Sequence, residues 1–259
     1  MRSAGFSAAA LLCVLIGSAR AAEIPAEQRQ SGSAFMSEAT RAMQADDTSN
    51  PGMLSVLEGS ALWNSPAGKA AKSCASCHGD ATASMRGVAA RYPAYDERAG
   101  SPTDLAGRIN ACRQEHQGTE PLRREGAELL ALTAFVGNQS RGLPILPPND
   151  LRLAPHLALG KEIFDRRRGQ LDLSCASCHN DNWNGRLGGS PITQAHPTGY
   201  PLYRLEWQSL GSLQRRVRNC MVGVRAKPFE YGAQELIALE LYLNQRAAGM
   251  NLETPGVRP

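Results

Sequence analysis

Two five-residue runs stand out as able to do chemistry: Cys74-Ala75-Ser76-Cys77-His78 and Cys175-Ala176-Ser177-Cys178-His179. C-x-x-C-H is the attachment signature of c-type haem. Two thiols three positions apart reach the two vinyl groups on one porphyrin edge as thioethers, and the following His sets its imidazole under the iron. Zinc would need a second nearby pair of Cys or His ligands for each site. A redox dithiol needs neither the following His nor a second copy. The sequence therefore predicts two covalently bound haem c groups, one on Cys74 and Cys77 and one on Cys175 and Cys178. His78 and His179 are the predicted proximal iron ligands.

Of the seven cysteines, Cys13 lies in an apolar run near the start and four belong to the haem motifs, which leaves Cys112 and Cys220. An electron-carrier cytochrome usually places a Met sulfur on the far side of the iron. None of the methionines here occupies equivalent places after both motifs, and Met85 is only seven residues past His78. His116, His156 and His196 do not recur either. Cys112 and Cys220 do recur, 34 residues after His78 and 41 after His179. Three readings are open. A thiolate is a good ligand for ferric iron. A Cys112–Cys220 disulfide suits an exported protein but needs the two Cα atoms within ~6 Å. Inert buried thiols are the third. The recurrence favours paired ligation.

Charge separates the two cysteines. Arg204, Arg215, Arg216, Arg218, Arg225 and Lys227 lie near Cys220, whereas Arg108 and Arg113 near Cys112 are followed by Glu115 and Glu120. Guanidinium groups take oxyanions in a forked geometry and hold a thiol as thiolate. They also neutralise haem propionates. Arg216 is four residues before Cys220, on the same face of a helix, and is the candidate anion ligand. Arg108 has the same spacing to Cys112. A thiolate beside an oxidant and a cationic cluster points to redox chemistry on a sulfur oxyanion.

The elements that position these residues repeat. Leu105, Arg108 and Cys112 match Leu213, Arg216 and Cys220 at an offset of 108, and Tyr92-Pro93-Ala94-Tyr95 matches Tyr200-Pro201-Leu202-Tyr203. Glu128 to Leu132 matches Glu235 to Leu239. The chain reads as a duplicated, all-α pair of tandem cytochrome c-like domains. The expected boundaries are residues 23–146 and 147–259, joined near Leu143 to Pro148, where three prolines exclude a helix. Helices are expected over Leu153 to Arg167, Ala127 to Val136 and Ala233 to Ala247, with a loop from Gly185 to Pro201. Residues 1–22 read as a signal peptide: Arg2, an apolar run from Ala8 to Gly17, and Ala19-Arg20-Ala21 before the cut. That run is too short to span a bilayer, so export to the periplasm without a membrane span is expected. Removing Arg2 and Arg20 leaves a net charge of about +2, which excludes a typical nucleic-acid binder.

These features together resemble the SoxA family, the dihaem subunits of SoxAX complexes of thiosulfate oxidation. The resemblance rests on both CASCH motifs, on Arg216-Val217-Arg218-Asn219-Cys220, on Val224 to Gly232 (VRAKPFEYG) and on Leu239 to Leu243. It covers essentially the whole mature chain. It implies His78 and Cys112 as axial ligands of the first haem, and His179 and Cys220 of the second. It also implies Cys220 as the catalytic, persulfide-bearing cysteine and Arg216 as the substrate arginine. The implied partners are a SoxX-type monohaem cytochrome, the SoxYZ carrier protein, thiosulfate and a cytochrome c electron acceptor. The implied activity is L-cysteine S-thiosulfotransferase; a dihaem electron-transfer cytochrome without sulfur chemistry is the competing class.

Overall fold

The computed structural model describes residues 23–259. The leader assigned to residues 1–22 lies outside them. Among the described residues no helix is long and apolar enough to cross a membrane.

Each half opens with a helix that leads into a haem motif. In the first half these are α1 (Glu38–Ala45), α2 (Gly52–Asn64), α3 (Ala75–His78) and α4 (Ala81–Ser84). A hairpin of β1 (Ala94–Asp96) and β2 (Ser101–Thr103) then delivers α5 (Leu105–Cys112), which runs on into a π-helical turn over Arg113–Gln117. The half closes with α6 (Ala127–Asn138). The second half repeats the plan with α7 (Ala154–Asp165), α8 (Cys175–His179), the small pair β3 (Arg186–Leu187) and β4 (Ser190–Pro191), and the hairpin β5 (Leu202–Arg204) and β6 (Ser209–Gly211). Then come α9 (Leu213–Gly223), α10 (Gln234–Arg246) and β7 (Gly256–Arg258).

The duplication is visible in local chemistry. Asp104 caps α5 by accepting from Gly107 N, and Ser212, at the equivalent place, caps α9 by accepting from Arg215 N. Such caps satisfy amides that a helix leaves unpaired. Ser73, just before the first motif, bonds Ser76 within it, as Ser174 bonds Ser177 within the second. Both Tyr92-Pro93 and Tyr200-Pro201 are cis. In each half the opening and closing helices cross at a glycine. A Cβ on Gly59 would fall inside the van der Waals shell of the Ala131 carbonyl, and one on Gly160 inside that of Ala238. Hence α2 lies directly on α6, and α7 on α10.

Helices dominate, but the expected all-α class needs correction, because seven short strands stand among the described residues. The stretch between haem motif and cysteine helix is rich in Pro and Gly, and a proline fixes extended φ in the residues leading into a strand. Pro93 immediately precedes β1 and Pro201 immediately precedes β5. The two hairpins pair in equivalent register, Ala94 with Thr103 and Leu202 with Gly211. Only the second gains a third strand, β7, parallel to β5.

Several sets of contacts join the halves, among them a buried hydrogen bond from Gln214 Nε2 to Asp104 Oδ2 at 3.0 Å. Val56, Leu130 and Ala134 of the first half enclose Leu210 of the second. The proline-rich connection is extended, as expected, yet Ile145 on it is 1% exposed and bonded through its main chain to Gly249 and Met250. Residues 23–36 form a strap over the second half. Gln30 N donates to Gln194 Oε1 at 2.6 Å, Gln194 Nε2 to the Gln28 carbonyl at 3.0 Å, and Ser31 and Ser33 hydroxyls to Glu253.

Candidate haem centres

In the first half, Cys74, Cys77, His78 and Cys112 line one cavity of about 290 Å³, with Met85, Leu105, Ile109 and Val136 supplying apolar wall. The tight α3 turn brings the two thiols to one edge. The Trp63 ring backs His78, with centroids 5.6 Å apart, and its Nε1 donates to the Gly79 carbonyl. Met85 packs in the same cluster as Trp63. Cys112 comes from α5, a different element. Burial pushes its thiol up, while Arg108 draws it down.

The second half brings together Cys175, Cys178, His179 and Cys220. Burial pushes the Cys175 thiol up to about 12, and the neighbouring Cys220 adds to that rise. Cys178 is raised by burial and then by the same Cys220. His179 is held far more firmly than His78. Its Nδ1 lies 2.6 Å from the Thr193 carbonyl, which can only accept, so Nδ1 carries the proton and Nε2 is left free for a metal. Burial lowers the pKa of His179; the Thr193 bond opposes this, and Arg216 and Arg246 reinforce it. His78 is exposed.

All six thiols of the described residues are free, and no disulfide joins Cys112 to Cys220. The donor set suits a c-type haem: a thiol pair at one edge, an imidazole, and a third thiol from a separate helix. Buried arginine nitrogens without a partner support the fit, since propionates want cations. Arg113 lines the first cavity and its Nε is unpaired, as is Nε of Arg168 in the second half.

Arg216 lies one helical turn before Cys220 on α9, as its spacing requires. The other cations predicted around Cys220 are partly occupied elsewhere. Arg215 lies over the Trp207 ring at 4.1 Å, and Arg218 over Tyr231 at 4.4 Å. Arg246 reaches the residues that flank His179 and its acceptor Thr193. Its Nη2 donates to Asn180 Oδ1 at 2.8 Å and contacts the Gln194 carbonyl, while its guanidinium lies over Phe164. Sequence reasoning missed the supports of both imidazoles, Trp63 and Thr193. Trp63 carries a usable signal, because it stands where the second half has Phe164, each paired with an aromatic of the closing helix, Phe135 or Tyr242. Thr193 acts through its main chain and gives none.

Known proteins agree with this architecture. A family model described as SoxA/TsdA, cytochrome c domain matches residues 58–145 and 159–252. The L-cysteine S-thiosulfotransferase subunit SoxA of Pseudaminobacter salicylatoxidans is 39% identical over 235 residues, covering 90% of this chain and 82% of its own. Its counterpart from Rhodovulum sulfidophilum is 37% identical over 232 residues, covering 90% of this chain and 81% of its own. The crystal structure of SoxXA from P. pantotrophus superposes with a TM-score of 0.86 at 35% identity, over 89% of this chain and 87% of that one. With both haem motifs inside the matched segments and the repeat carried through the fold, the chain belongs to the SoxA/TsdA cytochrome c domain family.

Proposed function

We propose that this chain is the dihaem subunit of a periplasmic L-cysteine S-thiosulfotransferase, working with a SoxX-type monohaem cytochrome. Its two cytochrome domains span residues 23–146 and 147–259. Cys74 and Cys77 would hold one haem c, with His78 and Cys112 as its iron ligands; Cys175 and Cys178 would hold the other, with His179 and Cys220. The observation that carries the reading is the pairing on α9 of a thiol, Cys220, with a guanidinium one turn earlier, Arg216, that has no acidic partner among the described residues.

Haem, when bound, supplies a one-electron acceptor beside the Cys220 sulfur. The chain's own residues do the rest. Arg216 offers forked donors to the sulfonate oxygens of thiosulfate and so turns its outer sulfur toward Cys220. Thr193 keeps the His179 tautomer fixed throughout. The net change joins the outer sulfur of thiosulfate to a cysteine sulfur of the SoxYZ carrier. The carrier thiol loses its proton to solvent, and two electrons pass to cytochrome c. Cys220 carries the sulfur between the two partners.

Cys220→Ala tests this directly. Both haems stay attached through their thioethers, while conjugation of thiosulfate to the carrier is lost. Mass spectrometry of the untreated protein is expected to show sulfur added at Cys220. Cys112→Ala changes the first haem's electron paramagnetic resonance signal and leaves conjugation intact. Turnover retained by Cys220→Ala would leave only a dihaem electron carrier.

A further inference from the structure

The two halves differ most sharply in the charges on their hairpins. In the first half Asp96, on β1, is buried and accepts from Arg108 Nη2 at 3.0 Å. Arg108 is the arginine one turn before Cys112, so its charge is consumed next to that cysteine. Two residues further on, Arg98 pairs with Glu115, which follows Cys112. The hairpin thus directs Asp96 and Arg98 onto the cysteine helix and the turn that follows it, while Glu97 pairs with Arg152. Burial lowers the Arg108 pKa, and Tyr92 and Asp96 beside it outweigh that and raise it.

In the second half the same positions are inverted. At the offset of 108 shared by the two hairpins and the two cysteine helices, Asp96 corresponds to Arg204 and Arg98 to Glu206. Glu115 corresponds to Gly223. Arg204 Nε and Glu206 Oε2 lie 2.8 Å apart, so the hairpin pairs its two charges with each other, and its contacts with α9 run to Arg215 through Trp207, Ser209 and the Leu210 carbonyl. Trp207 closes over this pair, with the Arg204 guanidinium 5.5 Å above its ring and Arg215 on it as well. Arg216 then has no carboxylate within bonding distance among the described residues, although it is the counterpart of Arg108. Tyr200, the counterpart of Tyr92, still feels both Arg216 and Cys220.

We propose that the hairpin is the element that chooses which centre accepts an anion: Asp96 closes the first centre by neutralising Arg108, and Arg204, tied off by Glu206, opens the second by leaving Arg216 unclaimed. Arg204 is on this view a positioning residue that acts through the absence of an acid. The inference rests on the reading of Arg216 as the anion ligand and adds the device that frees it. A buried guanidinium already joined to a carboxylate gives little to a second anion, because the new partner must displace a formed, charge-assisted bond.

The test is calorimetric binding of thiosulfate to the holoprotein in its partner complex, with haem content measured on each variant. Arg204→Lys keeps a cation at the position and binds as the parent does. Arg204→Asp recreates the first half's acid beside Arg216 and weakens thiosulfate binding by about tenfold or more. The double change Arg204→Asp with Glu206→Arg copies the Asp96/Arg98 pair, keeps the hairpin internally balanced and weakens binding equally. In turnover the Arg204→Asp loss falls on KM rather than kcat. Unchanged binding in both acidic variants overturns the inference, as does an equal loss in Arg204→Lys. Cys220→Ala, which probes the catalytic reading separately, keeps thiosulfate binding; if binding persists there while conjugation also persists, the catalytic reading fails and the hairpin inference stands.

Discussion

Arg246 is 6% exposed, yet two of its nitrogens, Nε and Nη1, have no partner among the described residues. A buried guanidinium is retained when its remaining bonds are indispensable. Here they brace Asn180, the residue after His179, and the carbonyl of Gln194, the residue after the His179 acceptor Thr193. Arg246→Ala leaves two acceptors without their donor and empties space over Phe164. It is expected to cost about 2–4 kcal/mol in urea unfolding of the holoprotein; a loss below about 0.5 kcal/mol would remove the bracing role. The first half has Gln139 at the corresponding place, bonded only to its own helix. At this scale the two C-x-x-C-H runs and the placing of Arg216 one turn before Cys220 on a single helix were legible because motif and helical spacing leave marks in residue type. The inversion at Asp96 and Arg204 was also legible, since the repeat that exposed Cys112 and Cys220 passes through both. Reading it required knowing that Asp96 reaches Arg108, a contact between two elements.

Among the elements, the helix crossings decide how tightly each centre is built. Gly59 and Gly160 let the closing helix approach to backbone contact. An alanine gains about 1 kcal/mol in helix propensity at either place. It also drives a methyl into a carbonyl that belongs to the partner helix backbone and cannot rotate away, a cost of about 1–3 kcal/mol or more. The second effect wins. Gly59→Ala and Gly160→Ala are both expected to lower stability by about 2 kcal/mol, seen as a lower urea midpoint. A gain at either site would mean that the helices can separate without loss. The closing helices were predictable from apolar periodicity, and α6 and α10 follow those spans to within two residues at each end. The strands were not, because strands of two or three residues have no periodicity of their own. They exist through cross-strand partners that the sequence shows only as a proline-bordered loop.

At the scale of the whole molecule, the strap makes the second half different from the first. His196 donates from Nδ1 to the Gln30 carbonyl at 2.8 Å. Burial holds its pKa down at about 4, with the Gln30 bond opposing, against about 6.5 for a free imidazole. The unfolded chain therefore takes up the proton first as pH falls. The contribution is complete above about pH 6.5, is lost at about 1.4 kcal/mol per unit through the window, and is gone below about 4. Urea unfolding between pH 7 and 4 measures that slope, and His196→Gln is expected to flatten it; an unchanged slope would place the acid sensitivity elsewhere. Composition and length gave two domains but no hint that the first would reach around the second, since contacts between residues 164 to 222 positions apart leave no local mark. Those same contacts set an order of assembly. Pairings that span most of a chain repay their loop-closure entropy last. Were Cys175 and Cys178 to take a porphyrin as proposed, they would meet it while the molecule is still open at that end, and the opening residues would return afterwards to latch the finished half shut.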